Sequence, residues 1–237
     1  IDPLEFDMVQ AELSRRQELG RSYSGASIFS SKVVCGDCGG FYGQKIWHSN
    51  DPYRKVTWRC NRKFKGKTVC ETPSLDADTI KTGFLKAYNR LMGNREELLA
   101  ACEVMREAVS DCTALNAEID ALNTEIKVVA EMVDQCVKEN AVKKQSQEAY
   151  ARKYNALVKR YDKAAARLND ATAERNSRTA RDRELRIFIS ELTGKPLVLE
   201  EWDEELWVSI LETATVQRNG HIIFRFKDGT SIEVGAE

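Results

Sequence analysis

The sequence predicts an α+β chain. A small cysteine-clasped β module, completed by a C-terminal helix and β-meander, is interrupted by a long antiparallel helical hairpin. Three observations lead there. Four cysteines, Cys35, Cys38, Cys60 and Cys70, fall among short strand-like runs. Two heptad seams of similar length follow, with neither Gly nor Pro between Asn94 and Gly194. Near the end, Asn219-Gly220 and Asp228-Gly229 separate three short strands, the dipeptides being hairpin-turn signals.

Composition sets the outer bounds. The chain has 237 residues, of which 31 % are charged and 42 % hydrophobic, with only 4 prolines, as in a soluble, helix-rich protein. No run of about 18 apolar residues is present, so no membrane span is expected. Ile1-Asp2-Pro3-Leu4-Glu5-Phe6 lacks the basic and apolar regions of a secretion signal and does not begin with Met. The expectation is a fragment of a longer protein. The net charge of −1 hides a segregation: Lys45 to Lys67 holds eight Lys/Arg and one acid, Asp51, whereas Glu200 to Glu205 holds five acids and no base. A basic island in a neutral chain suits a local anion such as nucleic-acid phosphate, and also suits a solvated loop.

The elements follow in order. Leu4, Met8, Val9 and Leu13 fall at helical spacing, predicting an amphipathic helix over residues 1–19 that Gly20 ends, with a linker at Arg21 to Gly25. Between residues 30 and 73, strand-like runs occur at Lys32 to Val34, Gly40 to Trp47 and Val56 to Arg59, with a turn at Asn50-Asp51-Pro52. Asp76 reads as an N-cap, with Leu75 and Ile80 at the spacing of a hydrophobic staple, and a helix then runs to Gly93. The first seam falls at 98, 102, 105, 109 and 112 and resumes at 115, 119, 122, 126, 129, 133 and 136. Its one irregularity is the 3-3 step Val109-Cys112-Leu115. The second runs through Tyr150, Tyr154, Leu157, Tyr161, Ala164, Leu168 and Ala171, turns polar at Arg175, Arg178 and Asp182, and recovers at Leu185, Ile189 and Leu192. The polar stretch Lys138 to Glu148 separates them, with the turn expected near Lys143. Arms of roughly 45 residues at ~1.5 Å each give a hairpin about 65 Å long. Arg175 and Arg178 then face Glu107 to Cys112, where the interface is expected to bend. Finally, Asp203 reads as an N-cap stapled by Trp202 and Trp207, with a helix through Leu206, Ile210 and Leu211. Strands at Thr215–Arg218, His221–Lys227 and Thr230–Val234 follow. This last piece has no core of its own and is expected to dock on the cysteine module.

Cys35 and Cys38 are two residues apart, and Cys60 and Cys70 nine apart, giving two ligand pairs. Four thiolates bind Zn²⁺ tetrahedrally at about 2.3 Å, which suits a segment too small to pack a core. The site would carry a charge of about −2, which neighbouring Lys/Arg help offset. Disulfides sit poorly with the missing secretory signal and with Cys102, Cys112 and Cys136 lying in a helical seam, where they read as small hydrophobes. A redox Cys-x-x-Cys needs a strand-to-helix context that is absent, and an iron–sulfur cluster stays open on ligand count alone. His48 reads as exposed or facing DNA, and His221 as a surface residue. Lys45, Arg54, Lys55, Arg59, Arg62, Lys63, Lys65 and Lys67 are the candidates for neutralising DNA phosphates. The interleaved Trp47, Tyr53, Trp58 and Phe64 are expected mostly to pack on the ribbon.

The order of parts resembles the C-terminal region of the large serine recombinases, the serine integrases and transposon recombinases. "IDPLEFDMVQAELSRR" is similar to the end of their recombinase domain. "FSSKVVCGDCGGFYG", "WRCNRKFKGKTVCETPSLDADTIKTGFLKA" and "VQRNGHIIFRFKDGT" are similar to their zinc β-ribbon domain, and the hairpin to their inserted coiled coil. The resemblance implies four parts: a terminal helix and linker (1–29), a zinc ribbon begun at 30–94 and completed at 194–237, and a coiled coil at 95–193. It implies one structural Zn²⁺, double-stranded DNA of an attachment-site half as ligand, and other recombinase subunits as partners of the coiled-coil tip, with a directionality factor as a further partner. It also implies a phage or mobile element expressed in bacterial cytoplasm. The family's nucleophilic serine lies in an N-terminal domain to which nothing here corresponds, so this chain is expected to be inactive and its parent an enzyme. Two other readings remain: a zinc-ribbon and coiled-coil scaffold for protein contacts, and an accessory domain of another nucleic-acid enzyme such as a topoisomerase or tRNA synthetase.

Overall fold

The computed structural model describes residues 6, 9–10, 12–13, 17, 27–65, 69–142 and 146–235. The helix expected over 1–19 falls largely outside them; the described Phe6, Val9 and Leu13 are helical and exposed. The elements are β1 (Val33–Cys35), β2 (Tyr42–Trp47), β3 (Lys55–Cys60), α1 (Ala77–Leu91), a 3₁₀ turn (Met92–Asn94), α2 (Arg95–Ser110), α3 (Thr113–Val142), α4 (Gln147–Gly194), α5 (Glu204–Ile210), β4 (Leu211–Val216), β5 (Ile222–Phe226) and β6 (Ser231–Val234). They form a mixed α+β architecture of two compact units, residues 1–106 with 183–237, and residues 107–182.

In the first unit, the ends of the chain build one sheet. β1 pairs in parallel with β4, Val33 opposite Ala214, and β5 and β6 continue the sheet antiparallel. This is why the C-terminal strands lack a core of their own: their inner face is completed by residues about 180 positions upstream. Phe29, Trp58, Phe84, Trp207, Phe224 and Phe226 are buried together, Phe84 and Trp207 with ring centroids 5.2 Å apart. α1 lies on the sheet so closely that a Cβ at Gly83 would come within 3.0 Å of the Phe224 ring. Both N-caps form as expected. Asp76 accepts from Thr79 N at 2.8 Å, and Asp203 accepts from Leu206 N at 2.9 Å, with the Trp202 and Trp207 rings meeting across the cap, tilted, at 5.4 Å. Leu211 departs from the expectation of a helix: it opens β4, because α5 stops at Ile210, where the chain must join the sheet. Cys102 and Leu192, expected in the coiled-coil seam, are buried in this unit's core together with Phe188.

In the second unit, α3 and α4 pair along the expected seam. Leu115, Ile119 and Ala171 form one buried cluster, and Val129, Cys136 and Leu157 another. Flanking it is a ladder that the apolar pattern does not reveal. Arg167 and Arg160 each grip a carboxylate with two nitrogens, Glu118 (2.6 and 2.9 Å) and Glu125 (2.5 and 2.9 Å), and Lys153 meets Glu139 at 3.3 Å. From Glu118 to Glu125 the ladder advances seven residues on α3 while retreating seven on α4, from Arg167 to Arg160, as an antiparallel heptad pair requires; Glu139–Lys153 steps fourteen on α3 against seven on α4 and lies outside that register. The irregular step becomes a break. Helix geometry stops at Ser110 and restarts at Thr113, whose amide Asp111 caps at 3.0 Å. Arg178 lies within electrostatic reach of Asp111, as the register predicted. Lys143 lies outside the described residues; α3 ends at Val142 and α4 begins at Gln147.

Candidate metal centre and nucleic-acid face

The four predicted ligands converge. The Sγ atoms of Cys35, Cys38, Cys60 and Cys70 all lie within 4.8 Å of one another, Cys38 to Cys60 at 3.5 Å and Cys60 to Cys70 at 3.9 Å. A tetrahedron with ~2.3 Å metal–sulfur bonds has edges of about 3.8 Å, so the spacing suits a single ion and is too tight for a multi-iron cluster. Three of the thiols are buried and Cys38 partly so.

Local sequence explains the convergence. At the end of β1, Cys35 begins a knuckle in which Gly39 takes φ +64°, a conformation glycine adopts without strain, and Gly36 packs so close to β4 that a Cβ would sit 2.8 Å from Val216 O. The Gly40 amide donates to Cys38 Sγ (3.4 Å). At the end of β3 the Arg62 amide donates to Cys60 Sγ in the same way (3.3 Å). These paired amide-to-sulfur bonds favour thiolate over thiol. Cys70 arrives on a segment without regular secondary structure that leads to the Trp58–Leu75 bridge. Asp37 fixes that segment, accepting from the Glu71 amide (2.7 Å) and from Arg218 Nε (2.6 Å). The Arg218 guanidinium holds the Asp37 carboxyl below the usual range. This clamp was not legible beforehand, since Arg218 sits on the β4–β5 turn, far away in sequence.

The thiols titrate apart. Burial pushes Cys35 up, but the Thr72 hydroxyl at 3.2 Å, the Cys38 and Asp37 backbone amides and the Cys38 thiol outweigh it and bring it to about 7. Cys70 is pushed up to about 12, first by its contact with Cys38 and then by burial, and Cys60 to about 11, mainly by burial. Crowding and burial thus oppose ionisation of Cys60 and Cys70, and a divalent ion would remove the repulsion among four thiolates. Donor set, spacing and amide bonds therefore fit a structural Zn²⁺, whose chemistry would be to crosslink the ends of β1 and β3 with the Cys70 segment.

β2 and β3 form a separate two-stranded ribbon with Tyr42 opposite Cys60 and Trp47 opposite Lys55. One face turns Tyr42, Trp58 and Cys60 inward. The other carries Lys45, Trp47, Lys55, Thr57 and Arg59. The structure thus brings three of the eight predicted cations onto one face. Arg54, Arg62 and Lys65 are exposed in the flanking turns. Lys63 differs from expectation: its ammonium is partly buried and donates to Thr72 O at 2.6 Å, so it supports the metal loop. Lys67 lies outside the described residues. The aromatics also depart from expectation. Only Trp58 packs inside, at 3 % exposure, while Trp47 (51 %), Tyr53 (79 %) and Phe64 (67 %) are exposed. The reason is strand alternation, which puts Trp47 on the outer face, and turn positions for the other two. His48 is exposed beside Asp51, and His221 hydrogen-bonds Glu233 at 2.7 Å on the surface.

A four-thiolate ribbon of this kind defines a zinc β-ribbon domain. Residues 28–89 match the family described as the recombinase zinc beta ribbon domain, which bears out the resemblance to the large serine recombinases. No curated protein matches the chain. Among solved structures, one described as "Crystal Structure of a LSR-DNA Complex" aligns at 14 % identity and a TM-score of 0.36, over 95 % of this chain and 64 % of that one, so this chain spans less than two thirds of its length. No described helix is long and apolar enough to cross a membrane.

Proposed function

We propose that this chain is the DNA-binding and synapsis-control region of a site-specific large serine recombinase, encoded by a phage or mobile element and acting in bacterial cytoplasm. The observation that carries the reading is the outer face of the β2–β3 ribbon, where Lys45, Lys55 and Arg59 lie beside exposed aromatics on a scaffold clasped by four cysteines. A two-stranded ribbon is narrow enough to enter the DNA major groove, with Arg54, Arg62 and Lys65 exposed in its flanking turns to meet phosphates. A scaffold for protein contacts alone has no need of such a salt-sensitive face. By the family resemblance, the ribbon takes the outer part of an attachment-site half. The α3–α4 tip meets other recombinase subunits or a directionality factor, and the break at Ser110–Thr113 lets the arm adopt more than one direction.

The test is a salt titration of duplex-DNA affinity. Each lost phosphate contact lowers the log–log slope by roughly one, so a Lys45/Lys55/Lys65→Ala variant should show a slope lower by up to about three. Equal slopes would make the face a solvated surface. In a full-length parent shortened between Ala114 and Ala171, single-site binding should survive while synapsis fails or loses selectivity. Unchanged pairing would remove the hairpin from that role.

A further inference from the structure

We propose that Arg59 is a specificity residue that reads a guanine in duplex DNA, an inference that rests on the DNA-binding reading above. Arg59 sits on the outer face of β3, its Cζ 5.6 Å from the Trp47 ring centroid and 4.9 Å from that of Phe64. The Trp47 ring is pinned by a hydrogen bond, and the Phe64 backbone is held in a turn. Trp47 donates its indole N–H to Thr57 Oγ1 at 3.1 Å, and Phe64 stands on the turn that leaves Cys60, closed by Lys63 N to Cys60 O (3.2 Å) and Lys65 N to Arg62 O (2.9 Å). The metal knuckle thus sets one wall of the cage.

Three other arginines are held differently. Arg160, Arg167 and Arg218 are immobilised by carboxylates, which consume their charge and donors. Arg59 is immobilised by rings, and its buried Nε has no hydrogen-bond partner among the described residues. A ring-flanked guanidinium keeps its full charge and its remaining donors for an incoming ligand, and it loses little side-chain freedom on binding.

The ligand class follows from geometry. A phosphate accepts from a cation in many orientations, so caging adds little, and the exposed, uncaged Lys55 serves as well. The O6 and N7 atoms of guanine are two acceptors in one plane, matched by a guanidinium fork whose orientation is already limited. Exposed rings at 51 % and 67 % also leave apolar surface to be covered when the ribbon enters a groove.

The experiment is selection of bound sites from a randomised duplex DNA pool by the whole chain, then affinity measurements with each selected base pair replaced singly. One G·C pair is expected at which replacement weakens wild type about tenfold or more. Arg59→Lys, which keeps the charge and loses the fork, should show no preference at that pair, while its salt slope and its response elsewhere match wild type. Placing 7-deazaguanine there should weaken wild type and leave Arg59→Lys unaffected. Phe64→Ala, a change at an exposed turn, should reduce discrimination at the same pair. Guanine preference retained by Arg59→Lys overturns the proposal, as does an equal loss at every position, the signature of a phosphate contact. Failure of wild type to bind any duplex overturns the DNA-binding reading itself.

Discussion

Trp207 is fully buried among five other large aromatics in the unit made of residues 1–106 and 183–237, whereas in residues 107–182 the buried side chains are no larger than Leu, Ile and Val. The first unit gathers residues from both chain ends, crosslinks them through a thiol cluster, and packs in three dimensions. The second is quasi-linear: each heptad contacts only its neighbours, and cross-helix ion pairs, Glu118–Arg167, Glu125–Arg160 and Glu139–Lys153, are spaced along it. Disruption in the first should therefore spread through a shared core, while disruption in the second should stay local.

Removing zinc gives the largest expected effect. Structural zinc binds zinc-finger peptides with an apparent ~10–16 kcal/mol, so chelation, or Cys60→Ser with Cys70→Ser, should abolish ordered β2–β3 structure while the helical dichroism of α3 and α4 persists. Loss of both signals together would dissolve the contrast. Because ligation needs deprotonated thiols, and Cys60 and Cys70 are pushed up in the metal-free cluster, acid should release the ion. Metal content measured against falling pH checks this.

Phe84→Ala should cost about 3–5 kcal/mol in the first unit, read as an earlier transition in tryptophan fluorescence. Leu157→Ala, 7 % exposed on the seam, should cost nearer about 2 kcal/mol and leave that fluorescence transition in place. Asp203 comes next. Burial raises its carboxyl, but Lys195 at 2.5 Å and the Leu206 amide outweigh this and hold it below its ordinary value. A carboxyl lowered by folding stabilises above its unfolded pKa, and that contribution is lost as pH falls through the folded value. Asp203→Asn should therefore reduce stability at neutral pH and flatten its decline between about pH 5 and pH 3. Smallest is Arg160→Ala on the exposed ladder, whose effect should fade in high salt.

Much of both units was legible in the sequence, for different reasons. The seams and the caps at Asp76 and Asp203 are local patterns, and Cys35 with Cys38 is a local pair whose glycines announce the knuckle. The rungs at Glu118 and Arg167 keep heptad spacing and were open to the same reading, but an apolar template passes over charged flanking positions. The β1–β4 pairing and the Asp37–Arg218 clamp join residues about 180 apart, and no short-range signal encodes them. Lys63 and Trp47 were misjudged for a subtler reason: composition marks a residue as cationic or aromatic, but only strand alternation and a nearby carbonyl decide which way it turns.

On the proposed function, duplex-DNA recognition resides in the cysteine-clasped unit and the hairpin is dispensable for it. Thr113 and Thr172 stand opposite each other in the register set by Glu118–Arg167, so deleting residues 114–171 and joining them by a short turn preserves the pairing. The decisive measurement is the affinity of this shortened chain for its selected duplex, followed across a salt series beside the full chain. The same affinity and the same salt slope are predicted. A shortened chain that still holds zinc but binds the duplex weakly, or with a smaller slope, would place DNA contacts on the hairpin and contradict the account.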